Sequence, residues 1–365
     1  MARGAIGRGA PLDQDKRAGM LTFHPLELRQ RTRIAEDAVC LELRPPPGLE
    51  AAYGFEAGQY LVVRATIAGR EVRRTYSIAS AVGAALRIGV RVQGEMSRHL
   101  AEGLPIGARL EALEPAGGFG YRPEAGQSKA YAAFAAGSGI TPIVSIVGTL
   151  LGGEPESRVL LVYANRSMAR TMFLDELLAL QARYPSRLTL RLLTSREPQD
   201  SERLSGRLDA AKLRALAHSE FDPRAIDAFF LCGPGAAAGQ WSATLRDLGA
   251  TGRIHAEHFT IERPDAATAA PPGLTTVILT RDGQRHTFQM PRDMTILSVT
   301  KALGLGVPYS CRAGVCAVCR VRVIEGTVAS KRNKALEAGE VQAGYVLACE
   351  AKPTSGHLEI TREET

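Results

Sequence analysis

The sequence predicts three domains: an antiparallel β-barrel, an α/β domain around a parallel sheet, and a small C-terminal domain carrying a cysteine-rich loop. Three observations predict this. The chain has 365 residues, more than one hydrophobic core usually holds. Its strand rhythm changes partway along, from β-rich runs between Gly/Pro turns to apolar runs alternating with helical periodicity. A stretch rich in Ala and Pro, ERPDAATAAPPG at Glu262–Gly273, then interrupts all periodicity.

The first block, residues 21–126, contains QYLVVRATI and LRIGVRV, short strands that suit a barrel better than a helical fold. The second, residues 127–262, holds AYAAFAAG, RVLLVYAN, RLTLRLL, AFFLCGP and RIHAEHF. Segments such as MFLDELLALQARY lie between them, and strands alternating with helices mean βαβ units. Residues 263–273 read as a linker. The third block, residues 274–365, has the size of an independent small domain.

Composition narrows the function. Hydrophobic residues make up 45% and charged residues 23%, as in a soluble globular protein. No apolar run is long enough to cross a bilayer. The N-terminal MARGAIGRGAPLDQDKRAG lacks the apolar core of a secretory signal and reads as a short basic tail. Six cysteines without an export signal point to a reducing compartment, hence a cytoplasmic protein with free or metal-binding thiols. The formal charge of +7 is dispersed, and aromatics are only 5%, so no nucleic-acid groove is expected.

Four cysteines stand out. Cys311, Cys316 and Cys319 lie in SCRAGVCAVC, and Cys349 follows thirty residues later. Disulfides, a zinc site and an iron–sulfur cluster are the alternatives. Three ligands on one loop with a distant fourth suit zinc poorly, since zinc sites usually pair two short hooks. The C-x4-C-x2-C spacing is that of plant-type [2Fe–2S] sites. The small residues between the ligands let backbone N–H groups close on the sulfurs.

Five further stretches carry chemistry. RRTYSIAS offers Arg74 for a pyrophosphate, Tyr76 to stack on a flavin and Ser77 to reach a ring nitrogen, beside Thr75; an ordinary strand is the plain alternative. RVQGEMSRHL then puts Gly94, Met96 and Ser97 at the start of a short helix, where N–H groups face outward. AAGSGITP puts Gly137, Gly139, Thr141 and Pro142 between a strand and a helix, as a tight turn near a phosphate requires. Cys232, Gly233 and Pro234 end another strand, and Cys232 alone would read as a buried structural thiol. After RVLLVYAN, Asn165, Arg166, Ser167 and Arg170 include no carboxylate, which favours NADPH over NADH. His255 and His258 are three apart on a strand and face opposite ways, so shared metal ligation is rejected.

Together these stretches resemble the ferredoxin–NADP reductase superfamily with a C-terminal plant-type [2Fe–2S] ferredoxin domain of β-grasp, α+β fold. The match is nearest to the reductase components of phenylacetyl-CoA epoxygenase and related oxygenases. The resemblance covers nearly all of residues 21–365. It carries the PYSCRAGVCAVC run and the GYVLAC approach to the last cysteine. By that resemblance Arg74 and Ser97 hold the FAD pyrophosphate, Tyr76 packs on the isoalloxazine, and Ser77 lies near N5. Cys232, Gly233 and Pro234 form the turn beside the nicotinamide. Phe259 lies near the flavin, and Glu257 relays a proton at N5. Electrons would pass from NADPH, or NADH, through FAD and the cluster to an oxygenase, hydroxylase or desaturase component. The surface at Arg312 and Ala313 would face FAD or that partner.

The sequence departs from the family in one respect. Residues 274–365 carry twelve Lys/Arg against nine Asp/Glu, unlike strongly acidic free ferredoxins. A tethered domain has no need of an acidic docking face, because the linker supplies the effective concentration. A monomeric reductase is expected. Alternatives in other classes are a flavin/iron–sulfur redox sensor, a stand-alone ferredoxin or flavodoxin reductase, and a zinc-binding scaffold.

Overall fold

The computed structural model describes residues 22–199, 201–234, 236–258, 273–309, 311–312, 314–330 and 335–362. The stretch from Phe259 to Pro272, nearly all of the predicted linker, lies outside them.

The first sheet contains six strands, β1 (His24–Ala35), β2 (Ala38–Arg44), β3 (Tyr60–Ile67), β4 (Arg70–Ser77), β5 (Arg87–Arg91) and β6 (Arg109–Ala112). All pairs are antiparallel, in the order β4-β3-β6-β1-β2-β5, and a bridge between Ile78 and Ile88 joins the two edges. The barrel forms because apolar residues alternate: Leu26, Leu28, Leu41, Leu61, Val63, Ile88 and Leu110 turn inward. Helix α1 (Glu95–Arg98) sends Met96 into the barrel core.

The second sheet is fully parallel. Its strands are β7 (Ala130–Ala136), β8 (Arg158–Asn165), β9 (Leu188–Thr194), β10 (Ala228–Gly233) and β11 (Arg253–His258), in the order β11-β10-β7-β8-β9. Helices α2 (Ile140–Gly153), α3 (Leu174–Arg183), α4 (Ala210–Ser219) and α5 (Ala237–Asp247) form the crossovers. Strand β7 is apolar throughout because helices cover both its faces. Barrel residues Ala38, Cys40, Ala57 and Phe119 share a core with α2, so the barrel and the sheet are packed as one unit.

A buried carboxylate fastens that junction. Glu154, fully buried just past α2, accepts from Tyr131 Oη at 2.8 Å, Ser157 Oγ at 2.7 Å, Tyr121 Oη at 3.0 Å and the Glu124 N–H at 3.1 Å. Burial alone would raise its pKa, but these four donors hold it below the ordinary carboxylate value.

The third sheet is mixed: β12 (Leu274–Arg281), β13 (Gln284–Pro291), β14 (Arg320–Ser330), β15 (Tyr345–Leu347) and β16 (Ala351–Thr361). Their order is β13-β12-β16-β14-β15, with β12 and β16 parallel. Helix α6 (Ile296–Ala302) lays Ile296, Leu297 and Val299 on this sheet, and α7 (Ala338–Gln342) is short. Among the described residues, no helix is long and apolar enough to cross a membrane.

Candidate functional site

The parallel sheet, the barrel and the cysteine loop converge on a single place. Strand β7 ends in the Gly137–Gly139 turn that leads into α2. Gly137 adopts φ +57°, a left-handed conformation that glycine takes without strain. Gly139 is demanded by packing: a Cβ there would lie 2.3 Å from the Cys232 carbonyl oxygen. So the turn needs Gly139 to let two backbones meet, more than to admit a phosphate. Thr141 donates to the Ser138 carbonyl at 3.0 Å, and Pro142 sits in the first turn of α2, where no N–H is required.

The strand register fixes the barrel's contribution. Tyr60 on β3 opposes Ser77 on β4, Leu61 opposes Tyr76, Val62 opposes Thr75 and Val63 opposes Arg74. Ser77 and Thr75 therefore share one face, and Tyr76 and Arg74 the other. Arg74 Nη1 donates to the Arg73 carbonyl at 2.7 Å, and its Nη2 lies 3.7 Å from Glu95 at the start of α1. Arg74 and the Gly94–Ser97 loop are thus neighbours.

Within that loop the side chains of Ser97 and Met96 are engaged by the fold itself. Ser97 is buried, and its Oγ accepts the N–H groups of Gln93 and Gly94, both at 2.9 Å, while donating to the Gly94 carbonyl. Its hydroxyl shapes the loop that the resemblance has it offering to a pyrophosphate. Met96 lies in the barrel core, leaving only its backbone at the surface.

Cys232 and Gly233 close β10, and both are fully enclosed, with Pro234 exposed beyond them. Burial pushes the Cys232 thiol well up, so it stays protonated near neutrality. Across the register on β11 lies Glu257, whose Oε2 is enclosed without a hydrogen-bond partner. Burial raises its pKa from 4.5 to about 7. A carboxyl tuned to that value can hold and release a proton at neutral pH. The folded chain binds this proton more tightly than the unfolded chain does. The stability it supplies is therefore complete below about pH 4.5 and lost as pH rises through about 7. Glu257→Gln should melt with the wild type near pH 4.5 and above it at pH 8, by on the order of 3 kcal/mol. A melting-temperature difference that stays flat over this range would rule out the shift. Phe259 lies outside the described residues. His255 stacks on Phe230 with ring centroids 5.0 Å apart.

At the outer end of the sheet, Asn165 is buried at the tip of β8, and Arg166 beyond it is exposed, with Ser167 partly so. Arg170 turns away towards the barrel, where it pairs with Asp37 and lies 3.7 Å from Glu36. The sequence reading found no carboxylate here, yet the next strand supplies one. Backbone pairing continues past the strand ends, with Ser195 N–H to the Asn165 carbonyl at 3.0 Å and Arg196 N–H to the Arg166 carbonyl at 2.9 Å. This sets Arg196 beside Arg166 and lets Glu197 accept the Met168 N–H at 2.7 Å. Charged residues directly beyond a parallel strand, as in LLTSREP, were the signal that could have found them.

The four cysteines form two contacting pairs, Cys311 with Cys316 and Cys319 with Cys349. Backbone N–H groups close on them, Gly314 towards Cys349 and Val318 towards Cys316. Left-handed turns at Arg312, Gly314 and Ala317 wrap the loop this way. A tetrahedral zinc site would hold all four sulfurs about 3.8 Å apart. Among the described residues, the one group of three or more such ligands within 4.8 Å is instead Glu325, His357 and Glu359. Two separate thiol pairs suit two irons, so these residues fit a [2Fe–2S] cluster.

The loop docks on the barrel. Cys316 and Val318 share a buried cluster with Phe23, Tyr60, Val62 and Leu113, and the Tyr60 hydroxyl hydrogen-bonds Cys311. Tyr60 also lies within the field of Glu257. Beside it, Arg320 pairs with Glu71 at 2.6 Å and Glu340 at 2.7 Å, and Arg73 bonds the same two carboxylates at 2.8 and 2.9 Å. Arg64 bridges to Glu337 at 3.0 Å and stacks 4.0 Å over Phe23. The barrel-facing residues of the loop are therefore Cys311, Val315, Cys316 and Val318. Arg312 is exposed, and Ala313 lies outside the described residues.

Three family models match the chain: an oxidoreductase FAD-binding domain at residues 25–121, an oxidoreductase NAD-binding domain at 134–239, and a 2Fe-2S iron-sulfur cluster binding domain at 279–354. One component of the 1,2-phenylacetyl-CoA epoxidase of Escherichia coli K12 is 37% identical over 93% of this chain and 98% of that protein. The ferredoxin reductase component of 3-ketosteroid-9-alpha-monooxygenase from Rhodococcus rhodochrous is 34% identical over 86% of this chain and 90% of that protein. Among solved structures, phthalate dioxygenase reductase superposes with a TM-score of 0.51 at 24% identity, over 93% of this chain and 98% of that one, a likeness of fold.

Proposed function

Because this chain belongs to the ferredoxin–NADP reductase superfamily, as an oxygenase reductase component with FAD-binding, NAD-binding and [2Fe–2S] domains, we propose how its own residues divide the work. FAD, when bound, accepts a hydride's two electrons from the nicotinamide and releases them singly, as a one-electron cluster requires.

Residues 21–126 cradle the flavin, with Arg74 and the backbone of Gly94–Ser97 at its pyrophosphate. Tyr76 lies against the ring, and Ser77, next to it at the end of the strand, lies near N5, with Thr75 on the same strand face as Ser77. Residues 127–262 hold the nicotinamide nucleotide. The Gly137–Pro142 turn and the Cys232–Pro234 turn, pressed together at Gly139, orient it. Glu257 holds a proton beside the flavin. Residues 274–365 hold the cluster through Cys311, Cys316, Cys319 and Cys349. One observation carries the reading: Tyr60 of the barrel shares a buried cluster with Cys316, against which Cys311 packs, and also lies within the field of Glu257, so the barrel and the cluster loop share a wall.

NADPH is the preferred donor. Arg166 and Arg196 offer guanidinium groups to a 2′-phosphate, with Asn165 and Ser167 beside them, while Glu197 is held by the Met168 N–H. The acceptor is an oxygenase of the phenylacetyl-CoA epoxygenase kind, or a Rieske-type hydroxylase or desaturase component. The chain acts as a monomer in the cytoplasm, and the exposed Arg312 side of the cluster meets the acceptor. Steady-state kinetics of the reconstituted holoprotein test the donor. We expect kcat/KM for NADPH to exceed that for NADH by roughly tenfold, as one good charge pair supplies. Arg166→Ala with Arg196→Ala should erase the difference, and a wild-type preference for NADH would contradict the assignment.

A further inference from the structure

A tyrosine of the barrel reaches across the domain boundary to a cluster ligand. Tyr60 is 8% exposed. Its backbone exchanges hydrogen bonds with Ala116, at 2.9 and 3.0 Å. Its ring lies on Gly117, where a Cβ would come within 3.0 Å of Cδ1 and Cε1. The ring is packed in one buried cluster with Cys316, with Cys311 against it, and its hydroxyl meets the Cys311 sulfur. A ligated thiolate has no proton to give, so the phenol must be the donor.

We propose that Tyr60 is a positioning residue that couples the redox potential of the cluster to docking of the ferredoxin domain on the barrel. This rests on the reading of the four cysteines as [2Fe–2S] ligands. Reduction adds one electron to the cluster and moves no proton. The added charge spreads onto the sulfurs, so an O–H donor favours the reduced state and raises the potential. Docked, the cluster is the better acceptor for an electron from the flavin side. Released, it loses this bond and becomes the better donor to a partner. Linkage makes the effect reciprocal: reduction tightens docking by the same factor by which docking favours reduction. The latch that sets the docked state is the ion network of Glu71, Arg73, Arg320 and Glu340, which begins one residue after the ligand Cys319.

The test is a redox titration of the reconstituted full chain, followed through the cluster's EPR signal. Tyr60→Phe keeps the ring and removes the donor. It should weaken electron affinity about tenfold, a fall of ~59 mV for one electron. Opening the latch with Glu71→Gln and Glu340→Gln should lower the potential similarly, and adding Tyr60→Phe to that pair should change it little more. A shift below twofold, ~18 mV, in Tyr60→Phe would overturn the proposal, as would an unchanged potential in the latch variant. If Tyr60→Phe assembles no cluster, the latch variant decides alone, by the same criterion. A wild type with no cluster signal overturns the cluster reading itself, whereas a normal signal with unmoved potentials overturns only the coupling.

Discussion

Cys349→Ser should yield a protein that still takes hydride from NADPH but cannot hand electrons to an oxygenase. Cys349 pairs with Cys319 and receives the Gly314 N–H, so one substitution removes a ligand and loosens the loop that carries the others. Loss of a ligand costs more than loss of a supporting hydrogen bond, which typically weakens metal binding by 10- to 100-fold. Electron delivery to the oxygenase component should fall by at least about 100-fold, with the cluster's absorption gone. Ferricyanide reduction, which draws on the flavin, should remain within about twofold of wild type, because the flavin cradle lies on other strands. Metal binding also stabilises small domains, so the melting transition of residues 274–365 should shift down. Retained cluster absorption, or ferricyanide activity lost in parallel, would refute this division of labour.

The second large effect is expected at Gly139→Ala. The new methyl would meet the Cys232 carbonyl oxygen at 2.3 Å, its carbon at 2.6 Å and the Gly233 nitrogen at 3.0 Å. All three atoms are backbone, so no flexible side chain can give way. The two turns must separate, and they are the turns assigned to the nicotinamide. A destabilisation of roughly 3 kcal/mol and a KM for NADPH raised by about tenfold or more are expected, with flavin content unchanged. Gly152, on the exposed side of the same helix with nothing within 4 Å, provides the contrast. Gly152→Ala should stabilise the protein by roughly 0.5–1 kcal/mol and leave KM alone. Equal behaviour of the two alanine variants would show that the close approach at Gly139 does not matter.

Much of the architecture was legible because each domain writes a local signal. The β-rich run of QYLVVRATI, the continuous apolar run of β7 and the cysteine spacing each follow from contacts within a few residues. The glycines of AAGSGITP were also found, although the reason for Gly139 is its neighbour on β10, 93 residues away in sequence. What stayed hidden depends on which way side chains turn and on what a distant strand brings. Arg170 looked available for a nucleotide, but Asp37 of the barrel claims it. Glu197 escaped notice because only the pairing of β8 with β9 carries it to Met168. Ser97 and Met96 stand in a motif, yet the fold spends one on capping its own loop and the other on the barrel core. Tyr60 drew no attention as a β-strand aromatic, since its partner Cys311 lies across a domain boundary.

These cases share one physical cause. Residue type and spacing report local geometry, whereas the route between cofactors is made at interfaces between domains. The interface consists of the apolar cluster around Phe23, Tyr60 and Val318, with Cys311 packed against it, and the paired arginines and glutamates. The central claim is that electrons entering at the nicotinamide turn reach the four cysteines through this interface. Anaerobic addition of NADPH to the wild-type holoprotein, read by visible absorption and EPR together, tests it most directly. The flavin should bleach and the reduced-cluster signal should then rise in the same molecules, without added mediator. Flavin bleaching with a cluster that stays oxidised, although dithionite can reduce it, would contradict the account.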